Sequence, residues 1–252
     1  MLIKYLILGL VQGLTEFLPI SSSGHLVIFQ NYLNLSANRY LIDLILHAGT
    51  LLAVIVFFFK DIKKLIRQRN LKILVYIAVA TVITGICGVT GNKFFKILFD
   101  SAILVCFMLI VNGVILLFTG KFLSGKRDFS DLNITDALWL GISQSLAIIP
   151  GLSRSGLTIS AMLFKGIKKE SAFRLSFLAS IPAISGALIY ELKGLTCLTL
   201  DITGYALLGT LVAFISGLFA LKILYLVIQR AKLTFFGYYC LITASIYLIL
   251  HT

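Results

Sequence analysis

Along most of this chain apolar residues follow neither the alternation of a half-buried strand nor the stripe of a surface helix. They run in blocks of roughly 18 to 22 residues, the length that crosses a hydrocarbon layer about 30 Å thick. Such blocks at 40–59, 73–90, 102–119, 172–190, 205–221 and 234–250 predict six transmembrane helices. Two further apolar regions, 1–30 and 137–164, are each too long for one crossing and too short for two. Each is interrupted near its middle by Pro, Gly and Ser, which break helices, so each is predicted to be a re-entrant helix-loop-helix pair.

Composition agrees with that pattern. The 252 residues are 59% hydrophobic and only 13% charged, which makes lipid the solvent and residues 1–252 a single integral membrane domain of the all-α class. A net charge of +12 would suggest nucleic acid in a soluble protein, but here the basic residues fall in the links between apolar blocks, so no nucleic-acid partner is expected. The links 60–72, 120–136, 165–174 and 222–233 hold sixteen Lys and Arg, against five elsewhere (Lys4, Arg39, Lys93, Lys96 and Lys193), with Arg154 set aside as intramembrane. The positive-inside rule then puts those four links in the cytoplasm and both termini outside. Sidedness closes only if each broken region returns to the side from which it entered. The run KDIKKLIRQRNLK is expected to touch anionic headgroups, and Phe57 to Phe59 to face lipid. Residues 1–11 resemble a signal peptide, but Gln12 and Glu16 follow without a cleavage site, so the segment is expected to stay. The cysteines Cys87, Cys106, Cys197 and Cys240 have no metal-type spacing and are read as packing residues.

The two broken regions are copies. Shifting the sequence by 132 positions pairs Leu8 with Leu140, Gly9 with Gly141, Gln12 with Gln144, Leu14 with Leu146, Ser21 with Ser153, Ser23 with Ser155 and Gly24 with Gly156. Repeat 1 covers about 1–120 and repeat 2 about 133–252. The charge count gives them opposite orientations, an inverted-topology repeat that brings both breaks together near the midplane.

Broken helices at membrane depth need a polar chamber, and the N–H groups at the start of each second half-helix favour an anion. Gly24 and Gly156 allow close backbone approach, and Ser21, Ser22, Ser23, Ser153 and Ser155 supply short hydroxyl donors. Arg154 suits a phosphate through its planar fork, the competing role being an ion pair with Glu16. A carboxylate beside a phosphate calls for a shared proton or a divalent cation. Magnesium or calcium would take oxygens from Glu16 and from Gln12 one turn earlier. His25 serves as proton carrier or nucleophile, and Ser22 three residues before it would share its helix face. Asp43 and His47, also one turn apart, are read as a structural pair, and Gln144 as a bridge between copies.

QGLTEFLPISSSGH and PGLSRSG resemble the two signatures of the BacA-type undecaprenyl-diphosphatases, with a similar layout over essentially the whole chain. The resemblance implies a bacterial inner-membrane enzyme that hydrolyses undecaprenyl diphosphate to undecaprenyl phosphate and inorganic phosphate. It would recycle the lipid carrier of peptidoglycan synthesis and confer bacitracin resistance. The resemblance carries the acidic pair onto Gln12 and Glu16, the serine and histidine onto Ser22 and His25, and the phosphate-binding arginine onto Arg154, with the site open to the outer face. Many members carry Glu where this chain has Gln12, which leaves one carboxylate fewer for metal. A second lipid-phosphatase family shares SGH and SR elements but needs a His soon after the Arg, and none lies between Arg154 and His251. Ser22, His25 or a water activated by His25 remain alternative nucleophiles. The expected partners are a polyprenyl diphosphate and membrane lipids, and a homodimer is compatible with the sequence. The competing function is a carrier or flippase for polyprenyl phosphate or another anion, because inverted repeats are typical of carriers.

Overall fold

The computed structural model describes residues 2–33, 39–99, 101–122, 125–192, 203–230 and 233–251. Lipid offers a backbone no hydrogen bonds, and the described residues are accordingly helical, with one isolated bridge between Arg127 and Ile167 in a connecting link. Helices α5 (Leu71–Phe99), α6 (Ala102–Thr119), α9 (Lys169–Leu192) and α10 (Thr203–Gln229) are long and apolar enough to cross a membrane. Within α3 (Arg39–Phe57) the stretch Leu41–Phe57 is a candidate crossing only together with α4 (Phe59–Arg67), and α11 (Thr234–His251) carries a shorter apolar stretch. The protein is a polytopic all-α membrane protein.

The span predicted over 40–59 ends early. The chain bends by 60° between α3 and α4. Lys60, Lys63, Lys64 and Arg67 cannot follow an apolar helix into lipid, and α4 turns them outward while Ile62 and Leu65 pack on the core. The bend also corrects the expectation for the aromatic cluster. Phe59 is exposed, but Phe58 turns inward, is 1% exposed and stacks on Phe177 beside Phe173.

Four shorter helices form two broken pairs, α1 (Leu2–Phe17) with α2 (Ser22–Tyr32) and α7 (Ile134–Leu146) with α8 (Arg154–Phe164). They hold 16, 11, 13 and 11 residues, each below the roughly 20 needed to cross. A shift of 132 carries both ends of α2 onto those of α8, and both ends of α6 onto those of α11. Helix α7 begins three residues before the predicted position because Asn133 and Asp136 cap it reciprocally. Arg127 then holds the buried Asp136 with two hydrogen bonds of 3.1 and 2.5 Å. In the same link the Ser171 hydroxyl and Lys168 hold the Asp128 carboxyl down at about 2, tying the link to the start of α9.

Each broken pair packs on helices of the other half of the chain. α1 lies along α10 and α7 along α5, while α6 pairs with α11 and α3 with α9 and α10. Glycine makes the α1 crossing close: a methyl group at Gly9 would collide with the carbonyl of Gly209, and one at Gly13 with Ser216. Gly9→Ala is therefore expected to destabilise the protein by about 1–3 kcal/mol, read as a lower thermal midpoint in detergent. An unchanged midpoint would mean that the two helices separate at little cost. Cys106 and Cys240 are buried and free, as packing residues would be, Cys87 is half-buried, and Cys197 lies outside the described residues.

Candidate active site

The two breaks adopt matching local structure. In the first, Ser21 caps α2: its Oγ accepts from the Gly24 N–H at 3.2 Å and shares a hydrogen with Ser23 Oγ at 3.2 Å. In the second, Ser153 caps α8: its Oγ accepts from the Gly156 N–H at 3.2 Å and shares a hydrogen with Ser155 Oγ at 3.2 Å. Breaks and glycines meet face to face. A methyl group on Gly24 would lie 3.6 Å from the Gly151 Cα, and one on Gly156 would lie 3.2 Å from the Pro19 Cβ. The N-termini of α2 and α8 thus meet at one place, where their free N–H groups and positive dipole ends favour an anion.

The backbone is under tension on both sides. Ser21 has φ of +67°, a left-handed conformation that a residue with a side chain adopts at a cost of about 1–3 kcal/mol. Gly151 has φ of +95°, and a side chain there would also strike the Val105 carbonyl.

Glu16, in the last turn of α1, is the hub of the polar cluster. Its Oε1 accepts from Arg154 Nη2 at 2.9 Å. Its Oε2 accepts from the Ser22 hydroxyl at 2.6 Å and from Gln12 Nε2 at 3.2 Å, with His47 Nε2 at 3.5 Å. The Glu16–Arg154 ion pair weighed from sequence is therefore present, and both side chains are largely buried. It does not satisfy the guanidinium. Arg154 Nη1 is buried with no hydrogen-bond partner, while the plane of the group sits 5.4 Å from the Phe177 ring centre. An unpaired guanidinium N–H inside a membrane protein costs free energy until an anion meets it.

His25 stands apart from this hub. Its Nδ1 donates to the Ser21 carbonyl at 2.7 Å, which leaves Nε2 to accept from the Tyr239 hydroxyl at 2.9 Å. The Tyr239 ring stacks on the imidazole at 5.7 Å. Sharing a face of α2 does not make Ser22 and His25 a hydrogen-bonded dyad. The Ser22 hydroxyl turns to Glu16 instead, because that carboxylate is the stronger acceptor within reach.

Three residues here escaped sequence reasoning. His47 was read as the partner of Asp43. Its Nδ1 does donate to the Asp43 backbone carbonyl at 2.7 Å, but its Nε2 faces Glu16, while the Asp43 carboxylate accepts from Gln30 Nε2 at 2.5 Å. Tyr239 and Asn112 lie in apolar helices and carried no signal beyond their own polarity. Asn112 reaches both breaks, donating to the Pro19 carbonyl at 2.9 Å and accepting from the Ser153 N–H at 3.1 Å. Gln144 does bridge the halves of the chain, donating from α7 to Thr84 of α5 at 3.1 Å.

A divalent cation has a restricted donor set. Among the described residues no group of three or more His, Cys, Asp and Glu is placed to hold one. Gln12 Oε1, however, is buried with no partner, one turn from the Glu16 carboxylate. One carboxylate and one amide oxygen suit a hard cation that draws its remaining ligands from phosphate and water.

Fold and cluster together define a class: a helical membrane protein in which two broken helices meet beside a buried arginine and carboxylate. The chain belongs to the BacA family, since residues 5–246 match the family described as bacitracin resistance protein BacA. An undecaprenyl-diphosphatase of Halothermothrix orenii is 41% identical over 98% of this chain and 97% of the relative. Relatives of the same name from Carboxydothermus hydrogenoformans and Methanobrevibacter smithii are 39% and 40% identical, over 97% of this chain and 95% and 96% of theirs.

Proposed function

We propose that the cluster around Glu16 and Arg154 is the active centre at which this chain hydrolyses undecaprenyl diphosphate to undecaprenyl phosphate and inorganic phosphate. Family membership and relatives of that name support the activity, and the observation that carries the assignment to this cluster is the buried, unpartnered Nη1 of Arg154 beside Glu16. The released undecaprenyl phosphate returns to the synthesis of peptidoglycan and other cell-wall polymers, and the family's bacitracin-resistance description accords with an enzyme that consumes the diphosphate form. A carrier is not favoured, because the relatives bear a hydrolase name.

Arg154, the α2 and α8 N-termini and the hydroxyls of Ser23 and Ser155 bind the diphosphate and neutralise charge as the anhydride bond lengthens. Ser22 is the nucleophile. Its Oγ bonds to the terminal phosphorus while the bridging P–O bond breaks, and its proton passes to Glu16 Oε2, which already accepts it at 2.6 Å. Undecaprenyl phosphate leaves with the bridging oxygen. A water oxygen then bonds to phosphorus as the Ser22 Oγ–P bond breaks, and Glu16 returns its proton to Ser22 Oγ. The proton of that water passes through the Tyr239 hydroxyl to His25 Nε2, which accepts from that hydroxyl because Nδ1 donates to Ser21. Glu16 and Gln12 Oε1 would hold magnesium or calcium, which would supply Lewis-acid charge neutralisation at the phosphate oxygens.

The two halves, about 1–120 and 133–252, form an inverted repeat in the inner membrane, with 1–30 and 137–164 re-entrant, both termini outside and the site facing outward. The equal offsets of α2 to α8 and of α6 to α11 support the repeat, and the basic links support the sidedness.

Purified protein in detergent, with no second compartment, is expected to release inorganic phosphate from a polyprenyl diphosphate and to lose about 90% or more of that activity with a chelator, restored by magnesium or calcium. Activity untouched by chelation would remove the cation from the mechanism. No phosphate release at all would sink the hydrolase.

A further inference from the structure

We infer that Asn112 is a positioning residue that holds the two breaks in register and so sets the distance between the nucleophile side and the phosphate clamp. It lies within the transmembrane helix α6, fully buried, where an amide side chain must be paired. Two of its described partners lie in the breaks, and the third, Cys240 of α11, itself reaches the Pro19 carbonyl. Nδ2 donates to the Pro19 carbonyl at 2.9 Å and to Cys240 Sγ at 3.4 Å, and Oδ1 accepts from the Ser153 N–H at 3.1 Å.

Chemistry explains why a side chain is needed here. Pro19 and Ser153 lie just outside the helices, so neither the Pro19 carbonyl nor the Ser153 N–H belongs to a regular helical ladder. Asn carries an NH2 donor group and a carbonyl acceptor on one short rigid plane, and here they meet a carbonyl and an N–H from opposite halves of the chain. Space around it is tight: a methyl group on Gly156 would lie 3.1 Å from Asn112 Oδ1. Pro19 is two residues before Ser21 and Ser153 is the neighbour of Arg154, so displacing Asn112 moves Ser22 and Arg154 relative to each other. The position 132 residues on is Ala244, which has no such capacity, so one residue serves both copies.

The inference rests on the proposed active centre, and its test separates the two. Asn112→Leu keeps the approximate shape and removes all three hydrogen bonds, whereas Asn112→Asp keeps the acceptor for Ser153 and removes the amide donors to Pro19 and Cys240. In detergent, kcat for phosphate release should fall about 100-fold in Asn112→Leu, with KM little changed. The Asp variant should lose about tenfold and serves as the test should the Leu variant not fold. Spin labels on the exposed ends of α2 and α8, at Tyr32 and Phe164 in a background with Cys87 and Cys197 replaced by alanine, report geometry without activity. The parent should give one narrow distance distribution and Asn112→Leu a broadened or displaced one. A variant with kcat within about twofold of the parent and a lower thermal midpoint would show a purely structural residue and overturn the inference. So would an unchanged distance distribution, whether or not the parent is active. A parent that releases no phosphate would overturn the active centre instead, and the distance measurement alone would then decide on Asn112.

Discussion

Arg154→Ala is expected to lower phosphate release by about 1,000-fold or more while the protein still folds and stays in the membrane. The guanidinium gives one nitrogen to Glu16 and keeps another buried and unpaired, so it is positioned for a ligand before that ligand arrives. Substrate binding ends an unfavourable state as well as forming an ion pair, and the gain grows as charge moves onto the departing phosphate. Stability responds differently. Alanine removes the orphaned N–H, and Glu16 keeps its hydrogen bonds from Ser22 and Gln12, so the thermal midpoint moves less than the rate. Phosphate release and thermal unfolding on the same detergent preparation check this. A near-normal rate would remove Arg154 from the site, and a collapse of folding would show that the ion pair with Glu16 is mainly structural.

The second large effect is at Ser22. If its oxygen attacks phosphorus, Ser22→Ala should abolish turnover by about 1,000-fold or more, and the wild-type enzyme, quenched in acid after mixing with substrate labelled in its terminal phosphate, should carry label on Ser22. The same substitution should raise KM little, because Arg154 and the α8 N-terminus still bind the diphosphate. If Ser22 only anchors Glu16, loss of one hydrogen bond of 2.6 Å costs about tenfold and no labelled protein appears. That outcome would return the attack to water. Cys at the same position is a useful contrast, since it keeps a nucleophile but its thiol is a weak donor to Glu16.

Much of the fold was legible because lipid is a demanding solvent. Apolar length marked where helices run but not where they end: α10 continues to Gln229 through most of the basic link expected at 222–233, and α4 lies within the link expected at 60–72. Gly, Ser and Pro marked the two breaks, and their spacing of 132 recurs in the ends of α2 and α8. The bend at Phe58 was not visible, because hydropathy runs through Phe57 to Phe59 while the turn is set by charges that follow. At the site, Glu16 and Arg154 announced themselves through cost: a charge inside an apolar segment must have a purpose. His47, Asn112 and Tyr239 gave no such warning. Each is a polar residue on a largely apolar helix whose partner lies on another element, 214 residues away for Tyr239 and His25. The Ser22 and His25 spacing misled for a related reason. Helical periodicity shows which residues share a face but not which acceptor each hydroxyl finds.

The crossing of α1 on α10 and α7 on α5 also bears on how the protein is made. A chain leaving the ribosome from its N-terminus inserts α1 long before the helix it must lie against exists. The first half therefore waits in the bilayer with Gly9, Gly13 and Glu16 uncovered, in need of temporary lipid or insertase contacts. Since Arg154 is the partner of Glu16, that carboxylate enters the membrane well before the cation that neutralises it, and is best carried in with a proton. Truncation in the last third of the chain should then yield a product that is inserted but unassembled, and exposed to membrane proteases.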